Sequence, residues 1–250
     1  MRYTPMILVV NPNSSTSMTQ EIQENVVSYF IKKNVKTNLD NIFYYTGPST
    51  SPTQISDIKT SFESRDACLP ELTDSNNVNY YDKYDGILIA CFSDHPLVQS
   101  LSDVARANKS KTIITGLLNT TINFCSLFGD RQFSILTSNN EWVTILDNAV
   151  EQKYLNKSSE KYWKGTVATN LEVLNLHDVQ NYSAIVQIIE KENIRKLHSD
   201  LIILGCAGFS AIYEKLISTF SDGQYNVKFI EPVTMGIETL LFMIQWNSAK

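Results

Sequence analysis

Short apolar runs alternate with longer stretches in which apolar residues recur at helical spacing. The runs are 6–10 (Met-Ile-Leu-Val-Val), 41–45, 87–90, 112–115, 132–136, 166–176, 201–204 and 227–230. Each is too short for a buried helix and rich in Ile, Leu and Val, so each predicts a strand. Between them lie the helical patterns. Met18, Ile22, Val26 and Tyr29/Phe30 mark the first, and Trp142, Ile145, Leu146, Ala149 and Val150 another. Further helices are expected at 54–69, from Ser93 or Asp94 as cap to 108, and at 119–128, 180–197, 208–219 and 233–244. A strand followed each time by a helix builds parallel sheets with short connections.

The pattern also repeats. Four strand–helix units in the first half match four in the second, down to the fourth runs, Lys111-Thr-Ile-Ile-Thr-Gly and Lys228-Phe-Ile-Glu-Pro. The predicted fold class is α/β, with two pseudo-symmetric lobes. Each lobe would be a four-stranded parallel sheet flanked by helices, with an active-site cleft between them. The expected boundaries are 1–115 plus 233–250 for the first lobe and 116–232 for the second. One continuous eight-stranded sheet is the alternative.

The repetition extends to chemistry. Tyr84-Asp-Gly-Ile-Leu-Ile-Ala-Cys91-Phe-Ser-Asp-His-Pro and Ser199-Asp-Leu-Ile-Ile-Leu-Gly-Cys206-Ala-Gly-Phe-Ser210 both read as Asp, apolar run, cysteine, helix start. Open α/β sheets bind ligands at the carboxyl ends of their strands, and a helix amino terminus there lowers a thiol pKa. Cys91 and Cys206 are therefore candidate acid/base residues. One thiolate removes a proton from carbon while the other thiol delivers one to the opposite face, which inverts a stereocentre without a cofactor. Backbone N–H groups at the two helix starts are expected to stabilise the carbanion. A cysteine at a strand end is also an ordinary small buried residue; the matched pair is what favours chemistry. Asn11, Asn13, Thr137 and Ser138 follow the first strand of each half and can orient carbonyl or imide groups, or merely cap the next helices. His95 either lines the cleft or is solvated, and His177 and His198 read as loop or helix-end residues.

Composition narrows the field. The 250 residues are 43% hydrophobic with a net charge of −5, which suits a globular protein and disfavours nucleic acid as a partner. No apolar run nears the ~18 residues of a membrane span, and the N-terminal run is too short for a signal peptide. The four cysteines, Cys68, Cys91, Cys125 and Cys206, include no CxxC motif, so a metal site or disulfide is not expected and a cytoplasmic setting is. Cys68 and Cys125 fall inside helical patterns and read as core. No GxGxxG or GxxxxGK[ST] fingerprint occurs, so no cofactor is expected.

Four stretches carry a family resemblance: Ile7-Leu-Val-Val-Asn-Pro-Asn-Ser-Ser-Thr-Ser-Met-Thr19, Asp85-Gly-Ile-Leu-Ile-Ala-Cys-Phe92, Phe133-Ser-Ile-Leu-Thr137 and Leu204-Gly-Cys-Ala-Gly208. Together they resemble the hydantoin and allantoin racemase branch of the aspartate/glutamate/hydantoin racemase superfamily. The resemblance implies two pseudo-symmetric lobes, with the C-terminal helix returning to the first. It also implies Cys91 and Cys206 as the acid/base pair, and a pocket lined by Asn11, Asn13, Thr137 and the backbone around Phe92, Ser93, Ala207 and Gly208. It further implies a hydantoin-type small molecule as substrate and a homo-oligomer. The family usually reads Cys-Phe-Gly-Asp-Pro-Gly after the first thiol, where this chain has Cys-Phe-Ser93-Asp94-His95-Pro96. Such variants look similar to fungal members linked to purine-nitrogen use, which favours allantoin. Retention of both cysteines argues against arylmalonate decarboxylases. The altered loop keeps open a non-catalytic ligand-binding protein on the same scaffold, and a related racemase or isomerase of another small carbonyl acid is also compatible.

Overall fold

The computed structural model describes residues 4–33, 39–155, 157–176, 178–221 and 225–248. His177 lies outside them. The chain divides into two compact units, Met1–Leu117 with Val233–Lys250, and Leu118–Pro232.

The first unit holds β1 (Ile7–Asn11), α1 (Thr16–Lys32), β2 (Ile42–Thr46), α2 (Ile58–Thr73), β3 (Gly86–Ile89), α3 (Pro96–Ala107) and β4 (Ile113–Gly116). The second begins with α4 (Leu117–Ser126) and continues through β5 (Phe133–Thr137), α5 (Glu141–Ala149), β6 (Trp163–Ala168), α6 (Tyr182–Ile188), β7 (Leu201–Leu204), α7 (Tyr213–Thr219) and β8 (Lys228–Ile230). The last helix, α8 (Pro232–Ser248), belongs almost wholly to the first unit.

Both sheets are four-stranded, with all recorded pairings parallel. Their orders are β2-β1-β3-β4 and β6-β5-β7-β8, the same arrangement written twice. This excludes the single eight-stranded sheet. Parallel strands are covered on both faces, and β1, β3, β5 and β7 are buried along their whole length. Each fully buried Leu or Ile there contributes about 2 kcal/mol of transfer free energy.

Local side-chain caps start the first two helices. Ser15 accepts from the Met18 amide to cap α1, whose Met18, Ile22, Val26 and Phe30 turn inward. Asp57 and Thr60 form a reciprocal capping box on α2. The C-terminal helix does return to the first unit. A Cβ on Gly86 would lie 2.9 Å from Ile244 Cδ1, and one on Gly236 would lie 2.8 Å from Leu88 Cδ1, so two glycines let α8 approach β3 closely.

The sixth strand departs from expectation. Apolar residues continue to Leu176, but β6 spans Trp163–Ala168, and the chain from Val173 to Asn175 makes a 3-10 turn. Gly165 has φ +98°, and the β5/β6 register shifts between Phe133 and Ile135. A glycine bulge thus interrupts pairing near the start of β6. Regular pairing resumes at Thr166 and stops at Ala168 opposite Thr137, the last residue of β5, and Leu176 packs into the second core instead.

Candidate active site

The two cysteines occupy the same position in the two repeats. The Ala90 N–H donates to the Val10 carbonyl at 2.7 Å, and the Gly205 N–H donates to the Leu136 carbonyl at 2.7 Å. Cys91 and Cys206 each follow directly, one residue past the last ladder bond of an inner strand. The opposite strand ends match as well. Asp85 Oδ2 accepts from the Met6 amide at 2.8 Å, and Asp200 Oδ2 accepts from the Gln132 amide at 2.8 Å. This is the physical reason an aspartate precedes both apolar runs. It ties the start of the cysteine strand to the start of its neighbour and fixes the register that delivers the thiol.

Cys91 is half-buried, and its Sγ lies 3.4 Å from Ser93 Oγ. The Ser93 N–H turns back onto the Cys91 carbonyl at 3.0 Å. Burial pushes the Cys91 thiol up to about 11, against the smaller opposing pull of the Ser93 bond. This reverses the expected lowering. The helix that was to supply the dipole begins five residues later, at Pro96, beyond the reach of an effect confined to the first turn.

The cap of α3 is also a different residue from the one expected. His95, 2% exposed, accepts from the Leu97 amide through Nδ1 at 3.2 Å, so it is neither solvated nor a bystander. Burial, and then the nearby Arg65 guanidinium, pull its pKa down to about 3, with Asp94 opposing weakly. A histidine neutral in the fold but free to protonate in the unfolded chain, near pH 6.5, destabilises the fold on acidification. Its contribution is complete above about pH 6.5 and is lost as pH falls toward 3. Melting curves from pH 7 to 4 should therefore fall less steeply for His95→Asn than for the wild type. Equal slopes would refute the assignment.

In the second unit Cys206 is half-buried with extended backbone and caps a 3-10 helix, Ala207–Ile212, that leads into α7. The Phe209 N–H donates to the Cys206 carbonyl at 3.1 Å. Gly208 lies beneath the thiol: a Cβ there would be 3.6 Å from Cys206 Sγ and 2.8 Å from the Val173 carbonyl, so no larger residue fits without moving the 173–175 turn. Buried Ser210 donates to buried Glu231 Oε1 at 3.0 Å and anchors the helix start to the end of β8.

Each register also sets one of the expected polar residues at the same strand end as its thiol. Asn11 follows Val10, the partner of Ile89, and Thr137 follows Leu136, the partner of Leu204. Thr137 is buried, and its carbonyl accepts from the Thr169 amide. Asn11 Nδ2 reaches Asn13 Oδ1, the Ser15 carbonyl and Thr19 Oγ1, while its Oδ1 accepts from the Asn13 amide. The Asn11 side chain thus shapes the β1–α1 loop. Asn13 is buried with it and contacts Met18 Sδ through Nδ2. Phe92 and Ser93 are buried in the Cys91 loop, and Ala207 opens the helix after Cys206.

A clamp on this loop escapes sequence reading. The Pro12 carbonyl accepts from Ser51 Oγ at 2.5 Å, Ser64 Oγ at 2.7 Å and Cys68 Sγ at 3.4 Å. Cys68 is therefore more than core filler, although burial holds its thiol up at about 11. The available signal was Ser61, Ser64, Cys68 and Leu72 sharing the buried stripe of α2, since small polar residues on an inward face need a partner. Among the described residues no group of three or more His, Cys, Asp or Glu is placed to hold a metal ion. None of the four cysteines forms a disulfide.

A family model described as Asp/Glu/Hydantoin racemase matches residues 7–240. The chain belongs to that family. With it comes membership of a group of racemases and isomerases built on this α/β fold. The family member is 49% identical to Protein DCG1 of Saccharomyces cerevisiae, over 98% of each chain. Its fold is shared with the allantoin racemase of Klebsiella pneumoniae, with a TM-score of 0.71 at 19% identity over 98% of this chain and 89% of the other. It is also shared with the allantoin racemase of Pseudomonas fluorescens, with a TM-score of 0.72 at 16% identity over 97% and 92%. No helix among the described residues is long and apolar enough to cross a membrane.

Proposed function

We propose that this racemase-family member is a cofactor-independent, cytoplasmic and homo-oligomeric enzyme of purine catabolism. It inverts C5 of a 5-substituted hydantoin, allantoin above all, by proton transfer between Cys91 and Cys206. The observation that carries this reading is the equivalence of the two thiols, each two residues beyond an inner strand of an identically ordered sheet. Inversion needs one group that removes a proton from one face of a carbon and another that delivers a proton to the other face. Two copies of one thiol site meet that need, and each copy changes role with the direction of the reaction.

The substrate class follows from charge. Residues 11–16, 46–53, 90–95, 137–140 and 205–212, which flank the strand ends, contain no Lys or Arg. That favours a neutral ring over a dicarboxylate, which would call for a cationic clamp on these loops; Arg65, which acts on His95 from α2, is paired with Asp66. The C5 carbanion of a hydantoin delocalises into the adjacent ring carbonyl, so hydrogen-bond donors suffice to stabilise it. In the direction where Cys206 removes the proton, the neutral thiol of Cys91 is already in the state that delivers one.

The test is each pure allantoin enantiomer in heavy water, followed by polarimetry and by mass spectrometry for deuterium at C5, against a protein-free blank. The reading predicts racemisation with solvent deuterium entering C5. Binding without exchange would instead establish the non-catalytic alternative.

A further inference from the structure

The carbanion expected at the strand ends needs hydrogen-bond donors, and several in the Cys91 loop are already committed. The Ser93 N–H is turned onto the Cys91 carbonyl, the Leu97 N–H onto His95 Nδ1, and the Val98 N–H onto the His95 carbonyl. The first turn of α3 has thus spent the amides that would otherwise face a ligand.

The residue that takes one of those amides frees another donor. Because Nδ1 of His95 accepts from Leu97, the ring proton resides on Nε2. The ring is 2% exposed, and Nε2 has no hydrogen-bond partner. A buried donor left unpaired costs about 1–3 kcal/mol, so few survive in a native fold without a use. This one lies on the short loop that also carries Cys91, at the carboxyl edge of the sheet where α/β proteins bind ligands. Buried and with Arg65 nearby, the ring stays neutral, so it can donate without giving up its proton.

We propose that His95 Nε2–H donates a hydrogen bond to a carbonyl oxygen of the ligand bound at Cys91, the oxygen onto which the C5 carbanion delocalises. This rests on the hydantoin reading above and deepens it by assigning the donor. The oxygen gains negative charge as the proton leaves C5, so the bond strengthens in the transition state and should govern kcat more than KM.

Two substitutions separate donor from cap. His95→Asn keeps an acceptor of the right reach for the Leu97 amide, asparagine being a strong N-cap, but has nothing at the Nε2 position. His95→Gln carries an amide N–H out to that position and gives up the cap. The expected result is a near-native melting temperature for His95→Asn, with kcat lowered about 10²-fold and KM little changed. His95→Gln should melt lower yet recover part of kcat. Full turnover in His95→Asn would overturn the proposal, because it would mean that an ordered water, or nothing, uses the Nε2 proton. Equal losses of activity and stability in both variants would overturn it too, as the mark of a purely structural residue.

A readout independent of turnover completes the test. In 15N-histidine-labelled wild-type protein, unsubstituted hydantoin should move the Nε2–H proton resonance of one histidine downfield, and His95→Asn should lack that signal. Hydantoin that binds and leaves this resonance unmoved would refute the His95 assignment alone. A wild-type protein that binds no hydantoin would overturn the functional reading and this inference together.

Discussion

Cys91→Ser and Cys206→Ser should each reduce racemisation by about 10³-fold or more while leaving the fold intact. A hydroxyl is close in size to a thiol, and at position 91 it can still meet Ser93 Oγ, so packing changes little. Its proton is far less acidic than a thiol's, however, so serine is a poor base at neutral pH. Because inversion needs both groups in one turnover, the losses should not add: the double variant should be scarcely slower than either single one. Cys125→Ala, in buried α4 of the second unit, serves as the control and should retain turnover. Racemisation rates alongside thermal melts provide the check. A wild-type rate in either Cys91→Ser or Cys206→Ser would end the two-thiol mechanism.

The second large effect is stereochemical. In a two-base reaction the two enantiomers present their C5 hydrogen to different thiols. A variant with one thiol left can remove the hydrogen facing that thiol, but can return a proton only to the same face. Each serine variant should therefore lose inversion yet exchange C5 hydrogen for solvent deuterium in one enantiomer, and the two variants should prefer opposite enantiomers. A pH dependence is expected as well. Cys206→Ser relies on Cys91, whose burial holds its thiol at about 11, so exchange should climb roughly tenfold per pH unit through the neutral range as the thiolate fraction grows. Each pure enantiomer, incubated with each variant in buffered heavy water and read by mass spectrometry, decides the matter. Exchange of the same enantiomer by both variants would show that the thiols do not address opposite faces.

Much of this architecture was legible along the chain because it is written in short-range patterns. Apolar runs such as Ile87–Ala90 can only be buried strands, and one fold of eight strand–helix alternations can only be parallel. The Asp-apolar-Cys phrase was visible twice, and the reason for its aspartate emerged only in three dimensions, where Asp85 and Asp200 bind amides 79 and 68 residues away in sequence. Apolar residues continue past Ala168, so the pattern predicts a longer sixth strand than the one that forms. Periodicity alone does not distinguish a strand from a turn that packs Leu176 into the core, and the end of the partner strand β5 at Thr137 decides between them.

By itself the sequence determined the two repeats, the positions of both thiols and the absence of Lys and Arg from the strand-end loops, since each depends on which residues stand within a few positions of one another. Tertiary structure alone decided how those groups behave. Burial raised Cys91 where proximity to a helix suggested lowering, and it made His95 a neutral cap with an unused donor. It also recruited Ser51, Ser64 and Cys68 to one carbonyl of the Asn11–Asn13 loop. The physical reason is that desolvation and hydrogen-bond satisfaction depend on what packs around a group from distant parts of the chain, and no local pattern records that.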